Sequence, residues 1–402
     1  MKRILFVFLA VISVAVTGFS QELKFDGYLN SGLGWWMSNH DGTDSKLVVY
    51  GVDSERAIGR FRLNGAFTNA GSSAGVNFRI QAQGSGTAKG GSQAGNAMSL
   101  AFGYAWIKPF DMLTIKAGLV DDATWQTADV IYNDDQTEGA GVLLRLTPVS
   151  GLDFGAGAYV ASYNSSGNDN FLDLDISTGY RTWNDTKYTF YGSYTMDKVF
   201  RLMLSGRIKN ATGGDLLNTQ PSQLLGEFRL LAVPNLTAVV VGRVMNVADD
   251  YSDTGLMQFF ETLGYKVSNL SFGFNAAQYV SNSSANKDLG LHFNPWIAYA
   301  LKEGKVVPRL DFVYFMGGKN APSPTYNTDI DSAYGKTYQR RGFSPTYNSD
   351  DYVYNVRPSV KINLDAKTAM EFGDAFYYSK YTNADSDPIL SNVLYMDMTV
   401  KF

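Results

Sequence analysis

The residues of this chain that are able to do chemistry are few in some classes and abundant in others. There is no cysteine among the 402 residues, which excludes disulfides, thiol nucleophiles and Cys-based metal sites. There are two histidines. His40 has Ser38, Asp41 and Asp44 near it, the residue types of a hydrolytic Ser–His–Asp set. Ser and Asp are common in polar loops, and His292 stands in an alternating segment with no such company. No Gly-rich phosphate loop and no His-x-x-x-His spacing occurs. Asp249, Asp250 and Asp253 offer oxygens of the kind Ca²⁺ takes, but solvated loop acids explain them more simply. The expectation is a protein that is not an enzyme and holds neither metal nor cofactor.

Two charged sets are more distinctive. The stretch from Val120 to Glu138 carries Asp121, Asp122, Asp129, Asp134, Asp135 and Glu138, and no basic residue. Arginines at 60, 62, 79, 145, 181, 201, 207, 229, 243, 309 and 357 fall on the polar side of alternating segments. Such arginines are either paired structurally inside a polar layer or form a basic wall that orders passing solutes.

What positions them is a period of two. In residues 23–37 the odd positions carry Leu23, Phe25, Leu29, Leu33, Trp35 and Met37, against Lys24, Asp26, Tyr28 and Asn30. Phe61, Leu63 and Phe67 alternate with Arg60, Arg62 and Asn64, and Val76, Phe78, Ile80 and Ala82 with Asn77, Arg79, Gln81 and Gln83. The chain ends with Leu394, Met396, Met398, Val400 and Phe402 set against Tyr395, Asp397, Thr399 and Lys401. Alternation alone fits any half-buried sheet. Here the apolar side carries large aromatics, and Phe25, Phe67, Trp106 and Phe402 are expected at one rim, where a membrane barrel needs an aromatic girdle.

Composition agrees. Glycine is abundant at 40 residues, proline sparse at 11, and Tyr and Phe reach 25 each. No linker or low-complexity tract divides the chain, and after residue 20 no apolar run is long enough for a membrane helix. Residues 1–20 read as a signal peptide: Lys2 and Arg3, an apolar stretch from Ile4 to Val16, then Gly18, Phe19 and Ser20 before Gln21. Removing them leaves 32 Lys+Arg against 38 Asp+Glu, a net charge of −6, which argues against nucleic acid as a partner. The organisation expected is a signal peptide over 1–20 and one barrel over 21–402. A mean hydropathy of −0.15 is compatible with a barrel that hides its lipid face by alternation.

Connections alternate short and long. Short ones lie near 69–73, 109–112, 148–151, 234–235, 268–269, 303–305 and 364–367, and long ones follow Met37, Gly84, Val120, Tyr163, Lys209, Val247, Val280, Met316 and Tyr378. About 19 strand candidates result, but closure with both ends on one side needs an even number. The surplus is placed between Tyr163 and Lys209, where turns at 184–185 and 197–198 follow in succession. The fold class expected is therefore all-β: a transmembrane antiparallel up-and-down barrel of about 18 strands, with 16 as the alternative. Eighteen strands give a diameter of about 35 Å, too wide for side chains to fill.

The last strand, ending on Phe402 after alternating apolar residues, resembles the C-terminal strand of bacterial outer-membrane barrels. The resemblance implies that Phe402 is read by the barrel assembly machinery. The layout also resembles the general porin family, whose third loop folds inward and sets its acids against basic residues on the wall. It implies that Asp121, Asp122, Asp129, Asp134, Asp135 and Glu138 face Arg60, Arg62, Arg79 and Arg145 at a pore constriction. It further implies an outer-membrane location with lipid around the barrel, small hydrophilic solutes and ions inside it, and a homotrimer as in many such porins. Two other readings stay open. One is a substrate-preferring channel for sugars or organic acids, with Tyr28, Trp36, Tyr159, Tyr191 and Trp296 as a stacking path. The other is a surface adhesin displayed on a barrel, to which the long 317–351 loop would contribute.

Overall fold

A computed structural model describes residues 22–38, 45–50, 60–69, 71–83, 99–120, 139–161, 186–210, 219–245, 256–281, 289–316, 352–380 and 389–402. Its strands are β1 (Glu22–Ser38), β2 (Ser45–Tyr50), β3 (Arg60–Thr68), β4 (Ala74–Gln83), β5 (Ser99–Phe110), β6 (Leu113–Val120) and β7 (Gly139–Val149). They continue with β8 (Leu152–Ala161), β9 (Thr186–Met196), β10 (Phe200–Asn210), β11 (Thr219–Leu230), β12 (Leu236–Met245) and β13 (Leu256–Val267). The remainder are β14 (Leu270–Ser281), β15 (Leu289–Tyr299), β16 (Val306–Met316), β17 (Tyr352–Asn363), β18 (Thr368–Lys380) and β19 (Ile389–Lys401). From β3 onward each pairs antiparallel with the next, and β19 pairs with β1, with Tyr28 opposite Lys401 and Ser38 opposite Ser391. The sheet closes on itself and has no free edge to expose to lipid.

Nineteen segments occupy eighteen positions around the barrel. β3 pairs with the first half of β1, from Glu22–Thr68 to Asn30–Arg60, and β2 with the second half, from Gly32–Tyr50 to Met37–Ser45. They are two pieces of one strand, interrupted by 51–59. The expected count of 18 holds, and the break between β2 and β3 is a feature the sequence reading did not contain. Between Tyr163 and Lys209 the described strands are two, β9 pairing with β8 and reversing into β10 at 197–199, so of the two successive turns the one at 197–198 is the reversal.

The short connections all fall at the end that also holds both described termini. Their geometry needs left-handed backbone at Ser72, Gly151, Lys198, Asn235, Ser268, Lys302, Glu303 and Gly304. The longer connecting segments, the acidic 121–138 and the 317–351 stretch among them, lie outside the described residues, as do the signal peptide, His40, Asp249, Asp250, Asp253 and Arg181.

Accessibility inverts the pattern of a soluble protein. The exposed side chains are large and apolar: Phe25, Trp35, Leu144, Leu204, Phe259, Ile297, Phe376 and Leu394 all stand on the outer face. Glu227, Arg243, Asp311, Asn355 and Arg357 are buried on the inner face. That is a wall built to stand in a bilayer. Of the four aromatics expected at one rim, Phe25 and Phe402 are exposed outward, and Phe67 shares their face, opposite Leu23. Trp106 does not. Its partners are Gly75 and Lys116, and it packs beside buried Tyr104, Leu143 and Tyr191. In β5 the aromatics Phe102, Tyr104 and Trp106 all take the inner face while Gly103 and Ala105 take the outer, so the bulkier side there is not the lipid side.

Candidate channel-lining site

Alternation brings the inner-face residues of neighbouring strands side by side, since the residues opposite each other in a ladder share a face. Four groups result. The first spans β1 to β6. Asn64 donates to Asp26 Oδ1 at 2.6 Å and accepts from Arg79 Nε at 2.9 Å, forming a relay across three strands. The Arg79 guanidinium lies 4.7 Å from the Phe102 ring, Arg62 lies 5.9 Å from Tyr28, and Lys116 lies 5.2 Å from Tyr104. Rings hold these cations by attraction to their π faces without cancelling their charge.

The second group is Arg145, Asp153 and Tyr191 on β7 to β9. Arg145 donates from Nε and Nη2 to Asp153 Oδ2 at 3.0 and 2.6 Å, and the Tyr191 hydroxyl donates to Oδ1 at 2.6 Å. This arginine is paired with a carboxylate on the neighbouring strand.

The third and fourth groups each set one acid between two arginines. On β10 and β11, Arg201 and Arg229 both stand 3.4 Å from Glu227, whose carboxylate is fully buried. Arg243 lies beside them on β12, 5.9 Å from the Phe260 ring. On β16 and β17, Arg309 grips Asp311 with two bonds of 2.7 Å, and Arg357 approaches the same carboxylate at 3.4 Å. Arg309 also lies 4.6 Å from the Trp296 ring. In each of these two groups one carboxylate meets two guanidinium groups.

Acids gather on β18 and β19. Glu371 stands opposite Asp397 on one side and Lys361 on the other, and the Tyr395 hydroxyl donates to Glu371 at 3.0 Å. By count around the eighteen positions, β19 lies nine from β10, directly across the barrel. The acids of β18–β19 therefore have Lys361, Arg309 and Arg357 on the adjoining β16–β17 and the arginines of β10–β12 across the barrel.

Of the expected constriction residues, Arg62, Arg79 and Arg145 are on the inner face. Arg60 opens β3 opposite Asn30 and Gln83, and Arg207 stands in β10 opposite Thr189 and Gln223. Asp121, Asp122, Asp129, Asp134, Asp135 and Glu138 lie outside the described residues. Of the expected stacking path, Tyr28 carries Arg62, Trp296 carries Arg309, and Tyr191 is buried and bound to Asp153. Trp36, Tyr159 and His292 occupy strands β1, β8 and β15. Sequence reasoning missed Glu227, Asp311 and Glu371. All three sit on the inner parity of their strands, so an inventory of inward acids would have found them.

No family model and no curated protein matches the chain. Solved structures do match in fold. Acinetobacter baumannii OccAB4 superposes with a TM-score of 0.52 at 10% identity, over 95% of this chain and 98% of that one. Pseudomonas aeruginosa OccK7 (OpdD) gives 0.53 at 9% identity, over 95% and 99%. The outer membrane protein opdK from Pseudomonas aeruginosa gives 0.51 at 10% identity, over 95% and 99%. The fold is that of the bacterial outer-membrane porins.

Proposed function

We propose that the barrel is a passive channel for small hydrophilic solutes and ions, with a wall that favours anions. The observation that carries this is the inner wall of a closed barrel with eighteen strand positions, where Glu227 and Asp311 are each outnumbered two to one by arginines. Such a wall is costly inside a packed core and serves a hydrated passage, where excess charge acts on permeating ions. The acids of β18–β19, joined by Asp121, Asp122, Asp129, Asp134, Asp135 and Glu138 if that loop turns inward, supply the opposing pole of a transverse field. A channel that prefers organic acids is the same reading with a narrower solute. A sugar path is less well supported, because Tyr28 and Trp296 hold cations on their rings.

Reversal potentials across a planar bilayer test this. Replacing Arg62, Arg79 and Arg309 together by Gln is expected to move selectivity toward cations, and replacing the five aspartates of 121–135 by Asn toward anions. A reversal potential that moves with neither set rejects the wall and the loop as the selective elements.

A further inference from the structure

The short-turn end of the barrel is unevenly charged. Among the described residues, its arc from β13 round to β19 carries Lys266, Lys302, Lys305, Lys367 and Lys401, all exposed, against two acids, Glu303 and Asp365. Asp365 is already engaged by the backbone N–H groups of Lys367 and Thr368. None of the five ammonium groups enters an ion pair among the described residues. Elsewhere at this end charge is balanced or absent. Lys24 pairs with Glu22 at 2.7 Å, Lys108 has Asp111 and Lys198 has Asp197 close by in sequence, and the connections near 69–73, 148–151 and 231–235 carry no charge. Register sends the cations to the pore side. Lys266 stands opposite Ser271, in the inner row of Ala298 and Arg309. The Lys401 amide donates to the Lys367 carbonyl at 2.8 Å, Lys401 lies opposite Tyr28, and Tyr28 opposite Arg62. Lys367, Lys401, Tyr28 and Arg62 therefore form one inner row across the closure of the barrel, with about 5 Å between ladder partners. The neighbours that point the other way, Val267, Leu301, Leu364 and Phe402, are apolar and exposed.

We infer that the β13–β19 arc of the short-turn mouth is a binding site for a dissolved multivalent oxyanion of the linear oligophosphate class. The inference rests on the channel reading and gives one mouth of that channel a ligand. Three features select this chemistry. The cations at the mouth are lysines, while those gripping acids deeper in the wall are arginines. An ammonium is a compact point charge on a flexible stem, and a guanidinium is a planar fork matched to a single carboxylate. Several flexible point charges at about 5 Å spacing suit a chain of phosphates, which engages them together as a monovalent anion cannot. Next, Glu371 and Asp397 stand opposite each other, four residues along their strands from Lys367 and Lys401. These acids repel an anion held at the mouth, so it lodges there instead of moving on along β18–β19. Last, the lysines of the strand ladder take the pore side and the apolar residues the lipid side, which favours dissolved phosphate over a lipid headgroup.

Tripolyphosphate added to one chamber of a planar bilayer tests this on single channels. At about 0.1 M salt it is expected to reduce the current from one side of each channel only, and the block is expected to fade at about 1 M, where charges are screened within about 3 Å. Replacing Lys302, Lys305, Lys367 and Lys401 together by Gln is expected to raise the half-blocking concentration about tenfold. All four are exposed, so the barrel keeps its fold. The Lys108→Gln/Lys198→Gln double variant is expected to be blocked like the wild type. Calorimetric titration of tripolyphosphate into the protein in neutral detergent reads the site without any current, and the quadruple variant is expected to lose the binding heat. A barrel that binds tripolyphosphate but passes no current refutes the channel reading and leaves this site standing. Three results overturn the inference: equal block from both sides, a half-blocking concentration that the quadruple variant does not raise, or an unfolding midpoint that the variant lowers in phosphatidylglycerol nanodiscs but not in phosphatidylcholine ones. The last is the mark of lysines engaged by lipid phosphate.

Discussion

Arg309 and Arg357 reach one carboxylate from neighbouring strands, and that carboxylate, Asp311, has no exposed surface. Arg357 is only 4% exposed, so removing Asp311 takes away a carboxylate 3.4 Å from a buried cation. Asp311→Ala is expected to cost about 3 kcal/mol, which urea unfolding in detergent measures. Arg309→Gln leaves the Asp311–Arg357 pair in place and is expected to cost much less. Phe402 has a role at the same scale that the C-terminal pattern alone did not reveal. Beyond the assembly signal expected of it, its backbone exchanges hydrogen bonds with Gly27 at 3.1 and 3.2 Å, and its ring stacks on Phe61 at 6.1 Å. The ring lies over Gly27, where a Cβ would come within 2.7 Å of it. Phe402→Ala is therefore expected to lower the stability of the folded barrel by about 1 kcal/mol as well as its assembly yield. Unchanged unfolding with reduced yield would leave Phe402 as a signal alone. The arginines were readable because their parity against big apolar neighbours is unambiguous. Their partners were not, since one-residue alternation says which face a side chain takes but not which neighbour across the ladder it meets.

At the scale of elements, turns carry the cleanest pH dependence. Asp365 in the β17–β18 connection accepts backbone N–H bonds from Lys367 and Thr368, both at 2.7 Å, and these hold its carboxyl below the ordinary carboxylate value. A depressed value in the folded state means the bonds stabilise the turn above the unfolded carboxyl's range and are lost as pH falls through the lower folded value. Asp365→Ala is expected to lower the unfolding midpoint at pH 7 and to become indistinguishable from wild type in strong acid. A difference that persists there would assign the effect to something other than this carboxylate. The short turns were legible in the sequence from their Pro, Asn, Asp and Gly residues. The division of the second strand into β2 and β3 was not. Ser45–Tyr50 is too short for a reliable alternation, and only pairing with the far half of β1 makes it part of the wall. Trp106 was misplaced because β5 turns its large aromatics, Phe102, Tyr104 and Trp106, inward and leaves Gly103 and Ala105 on the lipid side.

The whole molecule depends on closure. Pairing of β19 with β1 over eleven register positions, from Tyr28–Lys401 to Ser38–Ser391, removes the last sheet edge. At eighteen positions the backbone ring is about 35 Å across, wide enough to hold water between the inward side chains. Parity of strands, placement of the termini at the short-turn end and alternating loop lengths made that architecture readable from sequence. The grouping of charges on the inner wall was not, because it depends on which strands come to lie beside and opposite one another once the sheet has closed. The most direct test of the channel itself is the conductance of purified protein added to a planar lipid bilayer. Discrete, ohmic current steps that carry more anion than cation are the predicted result. A protein that inserts as a folded, heat-modifiable barrel yet passes no current would contradict the account and make the barrel a scaffold for its loops.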